Sequence, residues 1–236
     1  GITDKYNDFR SLTGMNTVAL ILMTLIDKGT KILITDPQAG GHGSLPKLCD
    51  NLGIQYAPIP YDYMRMQIDY DGLNQILEQD SRVSFLFFCQ SDIIQPPELQ
   101  KINLPPKVGI IYDATQTLGL IAGGALPNPL EACQNIIMIG GTHKTFPSVT
   151  CGYVATNNDN YINRVKQNIS PNFLRNVQVN NITSVCLSML EMLKFGEAYA
   201  QKIIWTANAL GDALSGDGLR VKCTEDGAFS HTHQLF

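Results

Sequence analysis

Residues 136–154 read IIMIGGTHKTFPSVTCGYV. Ile136–Ile139 is an apolar run of strand length, and Tyr153–Ala155 is a second one. Between them stand two glycines and the tetrapeptide Thr142-His143-Lys144-Thr145. A lysine at the mouth of two buried strands is badly placed for a solvated charge, although a strand-end lysine taken alone ordinarily reaches water. Upstream, the run Val108-Gly109-Ile110-Ile111-Tyr112 closes on Asp113. An acid ending a strand is, taken alone, a cap or a turn residue.

Taken together the two residues suggest chemistry. A lysine that forms a Schiff base with a cofactor aldehyde needs a dry, shaped pocket. The pyridine nitrogen of such a cofactor needs a carboxylate to keep it protonated, so that the ring can accept electrons. Asp113 and Lys144 are 31 residues apart (144 − 113), which leaves room for a crossover between neighbouring strands of one sheet.

Working outward, the chain alternates strand and helix. Helical spacing is expected in residues 11–26, entered through a polar turn that Ser11 or Thr13 could cap. Lys31–Thr35 reads as a strand followed by the glycine-rich loop DPQAGGHGS, at the sheet edge where ligands bind in such folds. Ser44–Leu52 reads as helix, Tyr56–Pro60 as a short strand, Asp69–Gln79 as helix and Val83–Phe88 as a continuous apolar strand. Asn157–Gln167 is expected to be a polar helix, and 177–215 helical throughout, with its methionine and leucine stripe in the core. Gly216-Asp217-Gly218 ends it, and Leu219–Cys223 looks like the first strand of a smaller domain. The expected class is α/β: a three-layer sandwich with a mostly parallel sheet over residues 1–215, and the beginning of a small C-terminal domain over 216–236.

Composition narrows the function. With 17 basic and 21 acidic residues the net charge is −4 and no basic block exists, which argues against nucleic acid as a partner. The apolar stretches are too short or too broken to span a bilayer. Six cysteines show neither C-x-x-C nor metal-type spacing and read as reduced core residues of a cytoplasmic protein. His231 and His233 would share one face of a strand, as a metal pair does, but no further ligand cluster accompanies them.

DATQTLGLIAGG (113–124) followed by GGTHKTFPS (140–148) resembles the serine hydroxymethyltransferases, pyridoxal-phosphate enzymes of the aspartate-aminotransferase fold. The resemblance runs from about Ser11 to Phe236. It implies fold type I, pyridoxal 5'-phosphate as cofactor, and a Schiff base on Lys144 with Asp113 on the ring nitrogen. It implies phosphate contacts from the Ser11-Leu12-Thr13-Gly14 loop, from Thr142 and from His143. Ser91 matches a serine that bonds the phenolic oxygen of the cofactor. His42 aligns with the second histidine of the family's Ala-His-Gly-Gly-His loop, Ala39 stands at the ring-stacking position, and Gln116 replaces a histidine near cofactor and substrate. By the same resemblance the substrate is an amino acid, the reaction is Cα–Cβ chemistry of hydroxymethyltransferase, aldolase or transaldolase type, and the assembly is a homodimer. An aminotransferase on the same fold is the rival, and a catalytically degenerate binding member the reading from another class. The family also carries an N-terminal arm and a C-terminal domain with a carboxylate-gripping arginine, so the chain is expected to be a piece of a longer protein.

Overall fold

The computed structural model describes residues 5–236. In chain order the elements are β1 (Tyr6–Asp8), α1 (Gly14–Leu25), β2 (Lys31–Ile34), α2 (Ser44–Leu52), β3 (Gln55–Pro58), β4 (Tyr61–Asp62), β5 (Gln67–Ile68) and α3 (Tyr70–Gln79). There follow β6 (Val83–Cys89), β7 (Gly109–Asp113), α4 (Leu118–Ala122), β8 (Ile136–Gly141), β9 (Gly152–Thr156), α5 (Asp159–Asn168) and α6 (Val179–Gly216). The two apolar runs of 136–154 are thus β8 and β9, a few residues longer than their apolar centres because the glycines at their ends keep the ladder.

Seven strands form one sheet in the order β1-β9-β8-β7-β6-β2-β3, and β4-β5 is a separate hairpin. The pairs β3-β2, β2-β6, β6-β7 and β7-β8 are parallel, while β9 runs antiparallel to both its neighbours. Side chains alternate across the sheet and feed two cores. Ile32, Phe85, Phe87, Ile111, Ile137 and Val154 pack beneath α1, α2 and α5. Leu33, Leu86, Phe88, Ile110, Tyr112 and Met138 pack against α3 and α6 on the other face. Both faces are covered, so the central strands are apolar throughout rather than alternating. The class is the expected three-layer α/β sandwich.

Three expectations fail. Leu219–Cys223 forms no strand. A tight turn follows it, in which Thr224 donates its N–H to Ala228 O and its hydroxyl to the Asp226 carboxylate. His231 and His233 therefore share no strand face. Second, the apolar stripe of α6 is in the core only in part: Val185 is buried and Met189 packs against the core, but Leu193 is 79% exposed and Trp205 60%. The buried stripe includes Val185, Ser188, Met192, Gly196 and Ala200, mostly small, because α6 lies almost in contact with the end of α4. A Cβ on Gly123 would fall 2.3 Å from Gly196 O. Third, all six cysteines are free, but only Cys49, Cys89 and Cys151 are buried, whereas Cys186 and Cys223 are exposed. Among the described residues no helix is long and apolar enough to cross a membrane.

Candidate active site

The parallel strands β2, β6, β7 and β8 release their carboxyl ends on one side of the sheet. The loops that follow them, with the start of α1, enclose a cavity of about 700 Å³. Thr13, Gly14, His42, Ser91, Asp113, Gln116, His143 and Lys144 all line it. Ser11 and Thr142 do not. Ser11 is buried and its hydroxyl accepts from Thr17 Oγ1 at 2.9 Å. Thr142 is buried too, and its hydroxyl donates to Val149 O at 2.6 Å. The Thr-His-Lys-Thr segment therefore offers the cavity its two central side chains, and spends both threonines on the protein. Thr145 donates to Gln116 O at 2.7 Å and accepts from Gly119 N–H at 3.1 Å, which ties the lysine loop to the loop after β7.

Asp113 ends β7, opposite Cys89 on β6 and Ile139 on β8. Its Oδ1 accepts from Thr115 N–H at 2.8 Å and from the Thr115 hydroxyl, and its Oδ2 from the Cys89 thiol at 3.3 Å. Burial pushes its carboxyl above the usual carboxylate range, against the pull of those donors and of His42. None of the ion pairs formed by the described residues involves Asp113. Lys144 likewise has no hydrogen-bond or ion-pair partner among them, though its charge helps burial push the His233 imidazole down. The buried Nδ1 of His233 has no partner. His231 instead pairs with Asp226 at 3.1 Å. The described residues hold no group of three metal-ligating side chains.

At the other end of the cavity Thr13 caps α1, accepting from Asn16 N–H at 3.1 Å. The first N–H groups of a helix have no intrahelical acceptor, so they present partial positive charge there. Gly14 suits a crowded position, since a Cβ would lie 3.1 Å from Gly141 N. The ring of His143 packs on Gly141 beside this helix start. His42 Nδ1 accepts from Ser44 N–H at 3.3 Å, and His42 N–H bonds Cys89 O at 2.8 Å.

Cys89, Thr115 and Gln234 also line the cavity, and sequence reasoning assigned them no part in it. Cys89 reads as a core cysteine. Thr115 could have been suspected, since it lies between Asp113 and Gln116. Gln234 carried no signal: it donates to Ser91 O at 2.9 Å and accepts from Ile93 N–H at 2.7 Å, across 143 and 141 residues of sequence.

The family description "Aminotransferase class I and II" matches residues 10–234. The serine hydroxymethyltransferase of Sulfolobus acidocaldarius is 33% identical over 99% of this chain and 54% of its own length. That of Aeropyrum pernix is 32% identical over 97% of this chain and 52% of its own length. The crystal structure of the L-threonine transaldolase of Pseudomonas fluorescens, in its internal aldimine state, superimposes with a TM-score of 0.91 at 25% identity, over 99% of this chain and 54% of that one. The chain spans about half the length of the relatives it matches.

Proposed function

This chain belongs to the aminotransferase class I and II family, and from that premise we propose that its cavity takes pyridoxal 5'-phosphate and serves Cα–Cβ bond chemistry on an amino acid. The observation that carries the reading is a half-buried acid without a cation, its carboxyl raised by desolvation, facing the same cavity as an exposed lysine amine that has no anion among the described residues. A neutralised pair would leave neither group available. An aldehyde on Lys144 and a protonated ring nitrogen against Asp113 would satisfy both groups.

The residues present fit the cofactor. Asp113 supplies the anion for the ring nitrogen, and burial makes that charge eager for a partner. Thr13, Gly14 and His143 stand at the α1 N-terminus, where a phosphate is held by free N–H groups and the helix dipole. His42 and Gln116 line the cavity near the ring site, and Ser91 is the candidate donor to a phenolic oxygen. When bound, the cofactor supplies an electron sink for the carbanion formed as a bond to the substrate α-carbon breaks. With the cofactor bound, the Lys144 amine would be placed to carry protons at that carbon. Gln116 cannot do so, because an amide donates and accepts hydrogen bonds without titrating.

The similarity to serine hydroxymethyltransferases and to an L-threonine transaldolase supports Cα–Cβ chemistry over transamination. Incubation with serine or threonine should release an aldehyde. Formation of a keto acid from the amino donor would favour the aminotransferase reading instead. The cofactor assignment is tested by borohydride reduction of the protein with pyridoxal phosphate, followed by peptide mapping. The label is expected on Lys144 and should be lost, with the visible absorbance band, in Lys144→Ala. A wild-type protein that takes neither label nor colour would leave a binding role.

We further assign residues up to about 215 to a cofactor-binding domain and the remainder to the start of a second unit, in a cytoplasmic homodimer. The exposed Leu187, Leu190 and Leu193 of α6 support a partner face. Leu193→Gln should lower the sedimenting mass if that face is the interface.

A further inference from the structure

Asp113 is held by two side chains outside the expected machinery. Cys89 and Asp113 are register partners at the ends of adjacent parallel strands, and the thiol donates to Oδ2 at 3.3 Å. Thr115 gives its N–H and hydroxyl to Oδ1. The Thr115 hydroxyl is itself aimed by Gly141 N–H, which donates to it at 2.9 Å. A Cβ on Gly140 would lie 3.2 Å from that hydroxyl, so the glycine pair before Lys144 also makes room for Thr115. Oδ1 thus has two donors. Oδ2 has one weak donor and keeps acceptor capacity toward the cavity. Burial and the neighbouring Asp113 charge hold the Cys89 thiol well above its usual value, so it is a neutral S–H donor.

We propose that Cys89 and Thr115 are positioning residues. They fix the Asp113 carboxylate with acceptor capacity left on Oδ2, and set how the proton is shared between that oxygen and a cationic ring nitrogen in the cavity. The inference rests on the cofactor reading given above. Each donor stabilises the ionised carboxylate. Without one, Asp113 becomes more basic, the shared proton moves toward it, and the ring is a poorer electron sink. The other titratable groups around Asp113 are its neighbour Tyr112 on β7, His42 from the loop after β2 and, across the cavity, Asp92, His143 and Lys144; Cys49 on α2 acts on Cys89. None is altered by substitution at 89 or 115.

The test begins on the ligand-free protein. Infrared difference spectra against Asp113→Asn isolate the Asp113 carboxyl band, which is followed against pH. Cys89→Ala and Thr115→Val should each titrate at higher pH than wild type, and Cys89→Ser, which restores a donor of similar size, should return the midpoint to wild type or below. The Cys89 S–H stretch should move toward the free-thiol position in Asp113→Asn. In the loaded enzyme, Cys89→Ala should lose about tenfold in kcat with KM little changed, and Cys89→Ser should recover it. Thermal melts separate a misfolded variant from one with altered titration, and Cys89→Ser decides if Cys89→Ala fails to fold. Identical Asp113 midpoints and an unmoved S–H band would overturn the proposal. A wild-type protein that borohydride does not label at Lys144 overturns the cofactor reading instead, and the ligand-free titrations still judge the positioning of Asp113.

Discussion

Asp113 is expected to destabilise the ligand-free protein at neutral pH. Burial raises its folded-state pKa above that of an unfolded carboxylate. The folded chain therefore retains a proton that the unfolded chain has released, and stability falls as pH rises from about 4 through the folded value. Asp113→Asn should remove this dependence and raise the melting temperature of the ligand-free protein by a few degrees at about pH 7, with little gain at about pH 4. Melts at the two pH values check it, and a variant that melts below wild type at the higher pH contradicts it. This residue and Lys144 were legible because each polar group closes an apolar run, a pattern visible without any fold. Hydroxyls were not. Ser11, Thr142 and Thr115 are all short donors beside glycines, and which of them faces the cavity depends on neighbours from other strands. Gly152 crowds Ser11, Val149 O takes the Thr142 hydroxyl, and Gly141 N–H orients Thr115.

At the scale of elements, the central parallel strands and the longer helices were readable to within a few residues, because those strands are buried on both faces and their apolar runs are unbroken, whereas short β1 and α4 were not foreseen. Helix α6 shows where that reading stops. Its extent was evident, but the side facing the sheet was read correctly only in part, at Val185 and Met189. Hydrophobicity pointed to Leu193 and Trp205, whereas backbone proximity selected Gly196 and Ala200. Close approach to α4 takes precedence, since Gly123 leaves no room for a methyl group against Gly196 O. Gly123→Ala should therefore destabilise the protein by about 1–3 kcal/mol through overpacking, measured by denaturant unfolding. An unchanged midpoint would mean that the two helices can separate freely.

Over the whole molecule, the cavity is closed by contacts that no local pattern announces. Residues 230–234 run along 91–94: His231 N–H donates to Ile94 O at 2.8 Å, the Thr232 hydroxyl bonds Ile93 O, and Gln234 holds Ser91 and Ile93. Asn208 of α6 anchors the segment, donating to Ser230 O at 2.7 Å and accepting from Phe229 N–H at 2.9 Å. Gln234→Ala removes both bonds to the β6 loop. At about 1 kcal/mol net for each, the affinity for pyridoxal phosphate should fall by ten- to thirtyfold, read by equilibrium dialysis, with the fold intact. An unchanged affinity would mean that the 91–94 loop holds its position unaided.

That long-range clasp also has a meaning in time. When Lys144 has been added to the growing chain, 90 residues (234 − 144) must still be synthesised before Gln234 exists. The parallel core can form early, as N-terminal units do during translation, yet the rim around Ser91 stays unclasped until the far segment arrives. Firm retention of a small molecule is thus a late event in the life of the nascent polypeptide, and chains arrested before that point should hold it only loosely.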